Sequence, residues 1–218
     1  MTAEELLRRY AAGERDFTKV DLSGTDLIDA QLTGIKLRDA KLICADLSGA
    51  NLRDASLSGA DLSGADLSGA NLRDANLMNA ILRNVDLVKA ILIGVDSYAT
   101  DFSKANLTEA ICIGAILRGA RFRDANLTKA NFKCAVMEWA ILERANLERA
   151  NLFEVNFTEA KLMGANLYAA RVDRTNFTEA NLTGIRFFDF LSDVRFVMFK
   201  DTIMPDGTLQ KGLKFWGD

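Results

Sequence analysis

Acidic residues recur along this chain at a spacing that invites a chemical reading. Asp26, Asp46, Asp66 and Asp86 follow one another at one fixed interval, and the series continues as Asn106, Asn126, Asn146 and Asn166. Two carboxylates held a few ångströms apart can share a proton or flank a glycosidic bond. The rest of the chain offers such chemistry no support. It contains no histidine, which removes the commonest general base and most transition-metal sites. It carries no nucleophile-elbow or phosphate-loop pattern. Cys44, Cys112 and Cys134 match no metal-ligand spacing. Arg118, Arg121 and Arg123 make a small basic cluster, well short of the stripe that a nucleic-acid binder needs. The residues therefore predict a protein that is not an enzyme, with no catalytic residue, cofactor or metal and no nucleic-acid partner.

The element that must position these residues is set by a strict period of five. From Phe17 to Phe187 the central residue of 35 consecutive five-residue units is Leu or Phe, with four exceptions: Ser97, Cys112, Met137 and Val172. The run Ala45-Asp46-Leu47-Ser48-Gly49, then Ala50-Asn51-Leu52-Arg53-Asp54, shows the unit: a small residue, Asp or Asn, Leu, and two polar residues. In an α-helix five residues turn about 500°, so the leucines would scatter around the axis. In a strand a step of five sends them to alternate faces. Only a chain that bends at the same place in every unit keeps them together. That predicts a β-solenoid, with each central and first position inside and the other three facing water. The first position is expected to stay small because the corner leaves little room.

The units of Ala, Asp or Asn, Leu and two polar residues resemble the pentapeptide-repeat family over about four fifths of the chain. The resemblance implies an all-β fold, a right-handed quadrilateral β-helix with four five-residue units per coil. The acidic series repeats at that same interval, one residue in every fourth unit. The segments Leu6-Leu7-Arg8-Arg9-Tyr10-Ala11-Ala12-Gly13-Glu14-Arg15-Asp16-Phe17 and Ile203-Met204-Pro205-Asp206-Gly207 resemble the ends of cyanobacterial members that regulate heterocyst differentiation through protein contacts. Gyrase-binding members imitate the phosphate backbone of DNA with acidic columns. The column Asp26, Asp46, Asp66, Asp86 is a short version, interspersed with Lys89, Lys129 and Arg149.

One domain is expected, with a capping helix over 1–14, the repeat coil over 15–204, and a tail over 205–218 packing on the last coil. Thr2-Ala3-Glu4-Glu5 reads as a capping box, and Gly13 suits the helix stop. Leu6, Leu7 and Tyr10 would cover the first coil. No 18-residue apolar stretch or signal peptide is legible, so a cytoplasmic protein without a membrane partner is expected. The cysteines agree, because Cys44 and Cys134 fall at outward positions on different faces and Cys112 falls in the core. Net charge is only −3, which argues weakly against a strongly electrostatic partner.

Function is to be sought where the repeat departs from itself. Second positions, normally polar, hold Ile81, Ile91, Ile111, Ile116, Val136 and Ile141. With four units per coil, Ile91, Ile93, Ile111 and Ile113 form one block. Tyr98, Ile116, Val136 and Trp139 lie around the next corner, and Arg53, Arg73 and Lys133 extend the block's columns. An apolar patch with a charged rim suits a protein partner; the same aliphatics also suit ladders between coils. Ser97 puts a hydroxyl in the core, which predicts a local bulge to satisfy it. Near the C-terminus Phe190 and Leu191 read as a two-residue insertion, after which Val194, Phe199 and Met204 become central. Phe187, Phe188, Phe190, Phe196 and Phe199 either cap the last coil or form a homodimer surface. The expected function is a cytosolic regulatory binder of another protein, with a DNA-mimicking topoisomerase binder as the alternative.

Overall fold

The structure is a computed structural model, and it describes residues 1–186 and 195–216, the last two of these by their backbone alone. The dominant feature is a parallel ladder between second-position residues four units apart, running from Asp16↔Lys36 to Asn166↔Arg186. Each unit bridges to the fourth unit after it, so a coil has four five-residue sides. We number the sides by these residues. The first face carries Asp21, Lys41, Asp61, Ile81, Asp101, Arg121 and Ile141. The second carries Asp26 to Asn166, the third Gln31 to Arg171, and the fourth Asp16 to Asn176.

The unit shows how the chain bends. The Ala30 N–H donates to the Leu27 carbonyl at 3.1 Å, closing a turn whose third residue, Asp29, has φ of 55°. A positive φ there is the signature of a type II turn. The coils are then tied by amides of three residues per unit. Leu27 N–H donates to Asp46 O at 2.7 Å, Asp29 N–H to Ser48 O at 2.9 Å, and Asp46 N–H to Thr25 O at 2.9 Å. The second-position side chain holds the corner. In the second face the Asp46 Oδ1 accepts from the Ser48 N–H at 3.0 Å, and Asp66 and Asp86 do the same for Ser68 and Val88. This explains why Asp or Asn recurs: each satisfies a turn amide that would otherwise need water.

Leucines pile along the axis, with Leu22, Leu42, Leu62 and Leu82 all fully buried. Phenylalanines stack in the same way: Phe102 on Phe122 at 4.9 Å and Phe157 on Phe177 at 5.4 Å between ring centroids. First positions are buried too, but they are not confined to small residues. Ile35, Val85, Val95 and Val155 are also buried there, so the corner accepts a branched aliphatic side chain. Thr100 and Thr175 also fit, each hydroxyl donating to a carbonyl of the preceding coil, Leu77 at 2.6 Å and Leu152 at 2.7 Å.

Ser97 differs from expectation. It is fully buried, yet the Asn76↔Asp96↔Ile116 ladder passes it without interruption, and Ser97 N–H donates to Ile116 O at 2.8 Å. There is no bulge, and the hydroxyl has no hydrogen-bond partner. Three backbone bonds per unit on either side hold the register more strongly than one hydroxyl can disturb it.

Helix α1 (Ala3–Ala11) lies over the first coil. Thr2 caps it by accepting from Glu5 N–H at 3.1 Å. The reciprocal half of the capping box is not made; Glu5 instead pairs with Arg9 at 3.6 Å. Leu6 is fully buried and the Tyr10 hydroxyl donates to Thr33 O at 2.7 Å, while Leu7 faces solvent. At the other end the ladder resumes with a step of 22: Asn176↔Met198 and Asn181↔Ile203. Phe190, Leu191 and Val194, where the extra residues were expected, lie outside the described residues. Strand β1 (Val197–Ile203) continues the coil and pairs antiparallel with β2 (Leu209–Trp216). The tail thus lies against the last coil through its backbone, with Leu209 and Leu213 exposed rather than packed.

Candidate protein-binding surface

The ladder places the sequence-derived patch on two adjoining faces. Ile91 and Ile111 are bridge partners on the third face, flanked by Asn71 and Asn131. Ile93 and Ile113 follow them on the same two coils, and all four are half-buried. Ile116 and Val136 are bridge partners on the fourth face. Tyr98 and Trp139 are about half exposed, at 45% and 49%. The eight residues therefore spread over two adjoining faces of three consecutive coils, from Ile91 and Ile111 on the third to Trp139 at the far end of the fourth, with the aliphatics half-buried or at the edge of exposure and the two aromatic rings more exposed. Trp139 holds φ of 58°, a left-handed conformation that bulky residues avoid.

The acidic column also assembles: Asp26, Asp46, Asp66 and Asp86 are consecutive bridge partners on the second face. Their carboxylates are committed to turn amides, and the Asp46 carboxyl is held below its ordinary value by bonds from the Ser48 hydroxyl and amide. Beyond Asp86 the column becomes an amide ladder, with Asn166 Nδ2 donating to Asn146 Oδ1 at 2.9 Å. Lys129 on the same face pairs with Glu109 at 3.3 Å, so the surface is mixed in sign.

A feature that sequence reasoning missed lies on the first face. Arg83, Asn84, Asp101, Ser103, Lys104, Arg121 and Arg123 line a shallow cleft of about 440 Å³. Asp101 is almost fully buried and accepts from Arg83 Nε and the Ser103 hydroxyl, both at 2.6 Å. Burial works to raise its carboxyl, but these bonds together outweigh burial and hold it below the usual carboxylate range. Arg123 pairs with Glu143 at 2.7 Å, and Arg144 with Asp124 at 2.6 Å. Among the described residues neither Lys104 nor Arg121 makes an ion pair, which leaves the cleft net positive. The signal was present as the columns Arg83, Ser103, Arg123 and Asp101, Arg121, each stepping by one coil, but reading Arg118, Arg121 and Arg123 by proximity in sequence divided it. Arg118 belongs to the fourth face, where it pairs with Glu138 at 2.6 Å.

The five-residue period and this coil geometry have a counterpart among known families. A model described as pentapeptide repeats matches in eight copies, over residues 16–54, 55–94, 100–137 and 130–168. The chain belongs to the pentapeptide-repeat family. Among solved structures it is similar to HetL, a pentapeptide repeat protein involved in heterocyst differentiation regulation from the cyanobacterium Nostoc sp. strain PCC 7120. That likeness has 32% identity, covers 96% of this chain and 100% of HetL, and has a TM-score of 0.51. It is also similar to QnrB1, a plasmid-mediated fluoroquinolone resistance protein, at 20% identity over 85% of this chain and 94% of that one, with a TM-score of 0.53. The latter is a likeness of fold. Comparison with curated proteins gave no match. These pentapeptide-repeat structures imply a right-handed β-helix for the coil described above.

The remaining positions in this pentapeptide-repeat chain divide as follows. Cys112 is buried, and desolvation pushes its thiol far above the usual range; Cys134 is exposed, 3.4 Å from Glu154, and its thiol is raised by desolvation and by that carboxylate. No His, Cys, Asp or Glu group among the described residues is arranged to hold a metal ion, and no helix there is long and apolar enough to cross a membrane. Of the C-terminal aromatics, Phe187, Phe188 and Phe190 lie outside the described residues. Phe199 is a core residue stacked on Phe177 at 5.6 Å, and Phe196 is half exposed.

Proposed function

We propose that this chain is a non-enzymatic interaction module, a right-handed quadrilateral β-helix that binds a cytosolic protein partner through its adjoining third and fourth faces. The pairing of Ile91 with Ile111 carries the reading, because it converts two residues distant in sequence into one apolar surface. Ile93, Ile113, Ile116 and Val136 extend that surface, and Tyr98 and Trp139 supply exposed aromatic anchors of the kind that dominate protein interfaces. Similarity to HetL along nearly the whole chain supports a regulatory role of the kind named for that protein, in cyanobacterial differentiation.

The test is capture of partner protein from a cyanobacterial lysate by the wild-type chain and by the double variant Ile91→Asp, Ile111→Asp. Both positions are half-buried and outward, so the variant keeps its far-UV spectrum and loses the captured protein. Equal capture by a folded variant overturns the reading. The stacked carboxylates Asp26, Asp46, Asp66 and Asp86 support a second reading, a DNA-mimicking topoisomerase binder. A gyrase supercoiling assay separates the two. Inhibition by the wild-type chain that is lost on changing these four to Asn supports the second, and no effect on supercoiling rejects it.

A further inference from the structure

We propose that the first face is a docking strip for an extended acidic segment of a protein partner, with one apolar side chain at each end of its acidic stretch. The inference rests on the reading of the chain as a protein-binding module and names the chemistry of what it binds. Consecutive bridge partners along this face run Ile81, Asp101, Arg121, Ile141. The two isoleucines are outward and partly exposed, and the cationic cleft lies between them. Asp101 neutralises Arg83 and Glu143 neutralises Arg123; Arg121 makes no ion pair among the described residues, and Lys104 has only Asp124 near it, a carboxylate already bonded to Arg144, so both are left to meet a ligand. Those cations lie on neighbouring coils instead of converging on one point, so they fit the acidic side chain of an extended segment, with further acidic residues beside it in the chain, better than a single small anion. The row is also short, and the chain as a whole is acidic with net charge −3, which disfavours a nucleic-acid strand that needs many phosphate contacts.

The spacing sets the motif. Three coil steps of about 4.8 Å separate Ile81 from Ile141, roughly 14 Å in all, and an extended chain rises about 3.3 Å per residue. Four residues therefore span the strip. Because alternate side chains of an extended segment face one side, an apolar residue, an acidic residue two further on and an apolar residue four further on all meet the surface together. Trp139 stands two residues before Ile141, at the corner shared with the fourth face, and its column neighbour in the preceding coil is Gly119. The exposed indole thus joins this strip to the apolar patch.

The probe is a fluorescein-labelled peptide with the core Leu-Glu-Glu-Glu-Leu, titrated by fluorescence anisotropy with the full chain. Binding is expected to weaken about tenfold or more between 50 and 500 mM salt, and about tenfold or more in Lys104→Glu, Arg121→Glu. Lys129→Glu on the second face leaves it unchanged, as an exposed charge reversal away from the strip. Replacing both leucines of the peptide by serine weakens it as well. Circular dichroism and thermal melting of each variant establish that it is folded. No salt-dependent binding, or undiminished binding by the folded double variant, overturns the proposal. So does an oligothymidylate of equal charge that binds as tightly and shows the same losses. If lysate capture fails in Ile91→Asp, Ile111→Asp but survives Lys104→Glu, Arg121→Glu, the acidic-segment inference falls and the function proposed above stands. Peptide binding that follows the expected losses, with lysate capture unaffected by Ile91→Asp, Ile111→Asp, does the reverse.

Discussion

Ser97 and Asp101 are both buried polar side chains a few residues apart, and they differ in what they find there. Ser97 has no partner for its hydroxyl, so the core bears the cost of desolvating it. Ser97→Ala should raise stability by about 1 kcal/mol, read as a higher denaturation midpoint with unchanged slope. Asp101, by contrast, is held by Ser103 and Arg83. Its carboxyl is depressed below the ordinary 3.8 despite burial. A depressed folded value contributes stability that is complete above the unfolded value and is lost as pH falls through the folded one. Asp101→Asn should therefore be less stable than wild type at neutral pH, and the difference should shrink as pH drops below about 4. Denaturant titrations at pH 7 and pH 3 check this. Neither outcome was legible from residue type: a core Ser suggested a bulge, and Asp101 looked like any second-position Asp until the coil set Arg83 beside it.

The five-residue unit holds one residue in a left-handed conformation at each corner. Glycine takes that position without strain, as at Gly119, while Trp139 adopts the same φ range with a bulky side chain. A non-glycine residue there costs roughly 1–2 kcal/mol. Trp139→Gly should accordingly melt at the same or a higher temperature than wild type. If the corner is a binding surface, the same variant loses partner capture, so stability and binding move in opposite directions. A destabilised Trp139→Gly would mean that the indole serves packing. The unit itself was readable in the chain, because a period of five is incompatible with one-sided burial in a helix or a strand. That first positions bury Ile or Val as well as Ala was not readable, since the space at a corner is set by side chains of neighbouring coils that no single unit reveals.

The assembled stack turns a linear period into a surface map. Removing one whole coil keeps every later residue on its own face, whereas removing a single unit rotates everything downstream by one face. Deletion of residues 41–60, away from the patch, should give a folded protein that still captures its partner. Deletion of residues 101–110, two units, should also fold, since it keeps the five-residue period, but it sets Arg121 opposite Ile91 in place of Ile111 and should abolish capture. Circular dichroism together with the capture assay distinguishes the two. Loss of folding in both would show that coil closure depends on particular side-chain ladders, such as Phe102 on Phe122. The chain by itself settles that it coils and which positions are buried, because burial of one residue in five is a local requirement repeated without a slip; that four units close a coil, and so pair Ile91 with Ile111, was implied by the family resemblance and is decided by the ladder. The cationic strip, the satisfied Asp101 and the unsatisfied Ser97 were settled by neighbours on adjacent coils, distant along the chain. Charge and hydrogen bonding act through space, and the winding of the chain brings those groups within reach.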